Sequence, residues 1–184
     1  MALTPSNMLP LGTKALHFKL RCAVIGKEFS LDELKSDKAT VVMFICNHCP
    51  YVKHVQRGLV ELANDYMPKG ISFIAINSND AEKYTEDSPA NMKSIALNLG
   101  YPFPYLCDET QEVARAYAAA CTPDFYVFDE ALKLVYRGQM DDSRPGNGKP
   151  ITGRNIREAL DRILKGEPVG EDQVPSIGCN IKWK

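Results

Sequence analysis

Cys46 and Cys49, separated by Asn47 and His48, are the residues of this sequence best spaced for chemistry. A cysteine reacts as its thiolate, and two thiols one helical turn apart can close a disulfide by thiol–disulfide exchange. The pair follows an unbroken apolar run, Val41-Val42-Met43-Phe44-Ile45. That run is too short for a helix and lacks polar alternation, which is the pattern of a strand buried on both faces. After the pair, Val52, Val55, Leu59, Leu62, Ala63 and Tyr66 recur at three- and four-residue steps, with Lys53, Arg57 and Glu61 on another face. This spacing predicts an amphipathic helix. The cysteines are therefore expected at a strand-to-helix turn, where unpaired N–H groups and the positive end of the helix favour a thiolate. Cys46 is expected to be the exposed attacking thiol with a lowered pKa, and Cys49 the more buried resolving thiol. His48, when protonated, would add a positive neighbour, and Pro50 suits the first helical turn.

The rest of the chain must hold that turn in place. Residues 12 to 37 form an N-terminal module (the boundary lies at about 10–37) with an alternating Phe18-Lys19-Leu20, a turn at Gly26 and a capping box from Ser30 to Glu33. Met67-Pro68-Lys69-Gly70 ends the helix after the cysteines, and Ile71 to Asn77 reads as a second buried strand. A polar loop, Asn77 to Asp87, precedes a helix over about Pro89 to Leu99 that Gly100 stops. Phe103 to Cys107 reads as a short strand, with Pro102 and Pro104 pointing to a sheet edge. Thr110 to Ala120 reads as a helix. Asp124 to Phe128 and Leu132 to Tyr136 read as a hairpin, Arg154 to Leu164 as the last helix, and about 166–184 as a tail. Alternating strands and helices with a late hairpin predict an α/β architecture, a mostly parallel central sheet with helices on both faces.

Composition narrows the function classes. The 184 residues fit a single domain, and a net charge of -1 gives no electrostatic case for nucleic acid or a membrane surface. No apolar run reaches the roughly 20 residues of a membrane span. Met1 to Leu11 lacks the basic start and apolar centre of a signal peptide. A cytoplasmic location is expected, where six cysteines are reduced, catalytic or metal-binding rather than a disulfide framework.

The order of strand, Cys-x-x-Cys, helix, strand, helix, Thr122-Pro123, hairpin and closing helix resembles the thioredoxin fold. The helix-strand-helix between the second strand and Thr122-Pro123 is similar to the insertion of redoxins, the group holding peroxiredoxins of the alkyl hydroperoxide reductase/thiol-specific antioxidant type and thioredoxin-like reductases. The tail, Pro175 to Trp183, resembles that of an uncharacterised peroxiredoxin-like branch. The resemblance implies a cis Thr122-Pro123 bond packed beside Cys46 and Cys49, with Thr122 and Pro123 shaping a substrate groove and His48 tuning the pair. It implies a disulfide-containing protein or small-molecule thiol as substrate and a cellular dithiol as reductant, with no cofactor.

The branch decides the chemistry. Cys49-Pro50 matches the peroxidatic cysteine and proline of peroxiredoxins, but Cys46 stands where they carry Thr or Ser, and Pro123 stands where they carry an arginine. Thiol-disulfide exchange through Cys46 and Cys49 therefore leads, and a thiol-dependent peroxidase acting through Cys49 is the alternative. Thr40 stands where thioredoxin buries an acid, so the Cys49 thiol has no obvious proton acceptor. A metal-binding or adaptor role is a third reading: Cys46-x2-Cys49-x4-His54 opens a zinc-knuckle spacing, but Leu59 occupies the fourth ligand position. Two more cysteines are candidate redox thiols: Cys121, next to Thr122-Pro123, and Cys179, on a tail that could carry it to Cys46 or Cys49.

Overall fold

The computed structural model describes residues 3–184, built in chain order from β1 (Leu3–Pro5), β2 (Lys19–Cys22), β3 (Glu28–Ser30), α1 (Leu31–Leu34), β4 (Ala39–Phe44), α2 (Pro50–Tyr66), β5 (Ile71–Asn77) and α3 (Pro89–Leu99). These are followed by β6 (Tyr105–Cys107), α4 (Glu112–Ala116), β7 (Cys121–Thr122), β8 (Asp124–Asp129), β9 (Leu134–Gly138), α5 (Arg154–Leu164) and β10 (Ile177–Asn180). Seven strands form one sheet in the order β3-β2-β6-β5-β4-β8-β9, and β1-β10-β7 form a second, smaller one.

β4 lies inside the sheet, between β5 and β8, and all six of its residues are buried. Because successive side chains point to opposite faces, Val41 and Met43 join the core under α2, α3 and α5, whereas Val42 and Phe44 join Leu31 and Tyr117 on the other face. The expected helix after the cysteines spans Pro50–Tyr66 and buries Val52, Val55, Leu59, Leu62, Ala63 and Tyr66, the periodic set read from sequence. Each large aliphatic side chain so buried is worth roughly 1.5–3 kcal/mol. α3 begins at Pro89 behind the Ser88 cap and ends at Gly100, which takes a left-handed backbone. The capping box of Ser30 and Glu33 forms as expected.

The sheet corrects the expected strand directions. Parallel pairing is confined to β4 with β5 and β5 with β6. The other four pairings, β2–β3, β2–β6, β4–β8 and β8–β9, are antiparallel. The N-terminal module is the reason: it folds as a hairpin and docks β2 against β6. That docking also overturns the edge position expected for residues 103–107, because β6 lies between β5 and β2. Pro104 precedes the strand and accepts the Ala75 N–H through its carbonyl, so its missing donor is not needed. The helix expected over Thr110–Ala120 shortens to Glu112–Ala116, flanked by left-handed backbone at Gln111 and Ala118.

The tail is strapped to the body. β10 pairs antiparallel with β7, setting Cys179 opposite Thr122, and with β1, setting Cys179 opposite Leu3. Beyond β10, the Ile181 N–H donates to the Ala120 carbonyl and the Lys182 N–H to Asn79. The Arg115 guanidinium lies 4.4 Å over the Trp183 ring.

At the start of β8, opposite Phe44, Asp124 is buried and accepts hydrogen bonds from its Phe125 neighbour's N–H and the Tyr126 hydroxyl. Burial pushes its carboxyl up to about 7, and those hydrogen bonds only partly oppose the rise. An acid whose folded pKa is raised contributes stability that is complete below its unfolded value, near 4, and lost as pH rises through the folded one. Asp124→Asn should therefore flatten the fall in urea midpoint between pH 5 and pH 8. A variant curve parallel to the wild type would show that Asp124 does not titrate there.

Candidate functional site

The carboxyl end of β4 delivers Ile45 and Cys46, Asn47 and His48 bend the chain, and α2 opens at Pro50 with Cys49 as its N-cap. The thiols expected to differ in exposure are both covered: Cys46 is 2% exposed and Cys49 0%. The helix also starts three residues later than a lowered Cys46 pKa would need. Its N-terminal field falls on Cys49, the N-cap residue, whose side chain makes no capping hydrogen bond. Cys49 is held down to about 5, first by a hydrogen bond from the Cys46 thiol and, against the cost of burial, by Cys179 and the nearby Val52 N–H. The Cys46 thiol is pushed well above its usual value by donating that hydrogen bond, by burial and by the nearby Asp87 carboxylate. The electrostatics thus favour Cys49 over Cys46 as the more acidic thiol of the pair, the opposite of the direction expected from sequence.

Thr122 and Pro123 stand where the fold resemblance put them, and their peptide bond is cis. The Thr122 hydroxyl lies 3.2 Å from the Cys46 sulfur, and its carbonyl lies 3.2 Å from the Cys49 sulfur. Ser176 of the tail donates to the Pro123 carbonyl at 2.6 Å. Cys179, on β10, places its sulfur 2.8 Å from that of Cys49. Cys121 is fully buried, and its thiol is pushed up by burial and by Asp124. None of the six cysteines is in a disulfide.

His48 is anchored rather than free. Its Nδ1 meets the Asp87 carboxylate at 2.5 Å, its ring stacks on Tyr84 with centroids 5.2 Å apart, and its side chain is 8% exposed. Asp87 is the residue that sequence reasoning missed. Burial alone would raise its carboxyl, but bonds from His48, the Asn47 N–H and Asn79 outweigh it and hold the group below its usual value. Asn77 donates to the same carboxylate at 3.2 Å, and Tyr105 donates to Asn47 Oδ1 at 3.0 Å. The signal in the sequence was the polar run Asn77-Ser78-Asn79-Asp80 at the carboxyl end of a buried parallel strand, where a solvated loop needs no such density of short polar side chains. All four are buried. Asp87 sets a buried acid beside Cys46, whereas the acid absent at Thr40 would serve Cys49.

Cys46, His48 and Asp87 each offer a donor atom, and these lie within 4.8 Å of one another. His48 Nδ1 and the Asp87 carboxylate bind each other, His48 Nε2 is buried with no hydrogen-bond partner among the described residues, and the Cys46 sulfur pairs with the Thr122 hydroxyl. The arginines are engaged elsewhere: Arg137 donates to the Leu9 carbonyl and Gln173, and Arg144 to Gln139 and to the carbonyls of Asp141 and Ser143. Among the described residues, no helix is long and apolar enough to cross a membrane.

Comparison with solved structures places the chain beside an uncharacterized conserved protein from Geobacillus kaustophilus, with 68% identity over 100% of this chain and 97% of that one, at a TM-score of 0.99. A hypothetical protein from Sinorhizobium meliloti 1021 is 50% identical over 98% of both chains, at a TM-score of 0.96. The thioredoxin domain of a thiol-disulfide oxidoreductase from Bacteroides vulgatus shares the fold at a TM-score of 0.63, with 16% identity over 83% of this chain and 99% of that one. A comparison with curated proteins gives no match. The sequence of residues 11–137, from the N-terminal module through β9, fits the family model described as AhpC/TSA, and the chain belongs to the AhpC/TSA family.

Proposed function

We propose that the chain is a thiol-disulfide oxidoreductase that cycles between the Cys46/Cys49 dithiol and its disulfide. The observation that carries this reading is the Cys49 sulfur at the N-cap of α2, with Cys46 and Cys49 both set against Thr122 and the electrostatics lowering the Cys49 thiol. The Cys49 thiolate attacks a substrate disulfide, one new S–S bond forms, and the departing thiolate takes a proton. Cys46 then gives up its proton and attacks the Cys49 sulfur. The second substrate thiolate leaves, and the Cys46–Cys49 disulfide remains. The substrate is a disulfide-bearing protein or small molecule, and a cellular dithiol reverses the cycle. The Thr122 hydroxyl, 3.2 Å from Cys46, can stabilise the sulfur of Cys46 as it sheds its proton.

A second reading, a thiol-dependent peroxidase, draws on the same covered thiolate, because Cys49 at 0% exposure suits a small oxidant. It lacks a guanidinium to polarise the O–O bond, since Arg137 and Arg144 are bonded to carbonyls and amides. Peroxide-dependent oxidation of a thiol donor separates the two readings.

Ultraviolet thiolate absorbance of the reduced protein should show one thiol titrating at about 5. Cys49→Ser should remove that step, and Cys46→Ala should move it upward by deleting the first of its stabilising hydrogen bonds. A low step that survives Cys49→Ser and vanishes with Cys46→Ala would overturn the assignment.

Asp87→Asn removes a negative charge that disfavours a thiolate at Cys46. The Cys46 thiol should then lose its proton at lower pH, so the alkaline limb of its alkylation by iodoacetamide, followed by peptide mapping beside the wild type, should move down. An unmoved or raised limb would refute the electrostatic role.

A further inference from the structure

We propose that Cys179 is an internal exchange partner of Cys49, delivered by the C-terminal strand along the edge of β7. The inference rests on the reading that Cys46 and Cys49 form a redox pair, and it adds a third thiol to that pair. The Cys179 sulfur lies 2.8 Å from that of Cys49, inside the contact distance of two sulfurs and a short movement from the roughly 2.05 Å of a disulfide. Both sulfurs are buried, so neither needs to cross solvent to meet the other.

Delivery depends on backbone pairing and on one glycine. A strand edge beside reactive thiols is a rail on which an extended peptide can dock by main-chain hydrogen bonds. Here β7 carries β10 instead, with Cys179 opposite Thr122 and Asn180 opposite Cys121. Gly178 permits the approach: a Cβ there would lie 2.0 Å from the Thr122 carbonyl oxygen and 3.2 Å from the Pro123 nitrogen. Both are backbone atoms, so any side chain would push the strand away from the thiols. Ser176 on the same segment fixes it to the Pro123 carbonyl, and Lys182 beyond it is held to Asn79. The tail thus has a built seat, and the seat puts Cys179 on Cys49.

The exchange balances without an outside reactant. In the Cys46–Cys49 disulfide, Cys179 gives up its proton and attacks the Cys49 sulfur. The Cys49–Cys179 bond forms, the Cys46–Cys49 bond breaks, and Cys46 leaves as a thiolate that takes up the proton. No electrons are gained or lost overall. In the reduced protein, burial and the hydrogen bond to the Cys49 thiolate push the Cys179 thiol up to about 12. Once Cys49 is in a disulfide its charge is gone, and burial is opposed by the Lys182 ammonium. Oxidation of the pair therefore removes part of what keeps Cys179 protonated. The product carries the oxidised state on a bond that clamps the tail and returns Cys46 as a thiol.

The test uses full-length Cys46→Ser protein, reduced and then treated with diamide, which accepts the two electrons and two protons released when two thiols join. Non-reducing peptide mapping should find the Cys49–Cys179 disulfide as the dominant product. Cys179 remaining an alkylatable thiol after denaturation would overturn the proposal. Adding Gly178→Ala to that background should slow formation of the bond at least tenfold, with circular dichroism confirming the fold. An unchanged rate would overturn delivery by the strand. Cys179→Ser protein keeps the two failures apart, because it reads the Cys46–Cys49 disulfide alone. If that bond forms and the Cys49–Cys179 bond does not, the third thiol is lost and the pair stands.

Discussion

Thr122 is gripped from three sides, and the site's geometry depends on that grip. Its hydroxyl faces Cys46, its carbonyl faces Cys49, and its backbone pairs with Cys179 on the tail strand. The next residue, Pro123, accepts the Ser176 hydroxyl and leads directly into β8 beside β4. One dipeptide therefore fixes the strand that carries Cys46, the helix cap Cys49 and the tail cysteine in a single frame. The frame is rigid because each of these groups is buried and has little room to relax.

Within that frame one negative charge among the sulfurs organises the others. The electrostatics favour that charge on Cys49, at the helix N-cap and beside two thiols, while Cys46 and Cys179 are pushed toward the thiol form. Asp87 sharpens the division by placing a carboxylate near Cys46. That carboxylate can stay charged in a buried position because His48, Asn77, Asn79 and the Asn47 N–H satisfy it. A helix terminus, a second thiol and a buried acid thus act on one pair from separate elements. The division of roles between Cys46 and Cys49 follows from where each of those elements ends.

Much of this was readable residue by residue. The apolar run into Cys46 is β4, the periodic set from Val52 to Tyr66 is the buried face of α2, and Ser88 and Gly100 bound α3. The expectation that failed for the cysteines failed by three residues, most of one helical turn. Sequence periodicity says that a helix follows the pair but does not fix its first residue. The chain bends through Asn47 and His48, and both are tied to Asp87, about 40 positions later in the chain. That tie leaves Cys49, and not Cys46, at the cap. The sheet directions escaped for a similar reason. Nothing in residues 19–30 tells β2 to dock on β6 rather than end the module as a separate hairpin.

The sequence by itself determined the elements, the Cys46–Cys49 spacing, the Thr122–Pro123 position and the fold family, because each is written in local periodicity, turn chemistry or order along the chain. Tertiary structure alone decided three things: that the helix cap falls on Cys49, that Asp87 sets a buried acid beside Cys46, and that Cys179 reaches Cys49 across 130 positions. The physical reason is range. Hydrophobic patterning and capping act over a few residues, whereas a strand edge accepts whichever distant segment satisfies its hydrogen bonds, and a pKa is set by every charge and dipole that packing brings within a few ångströms.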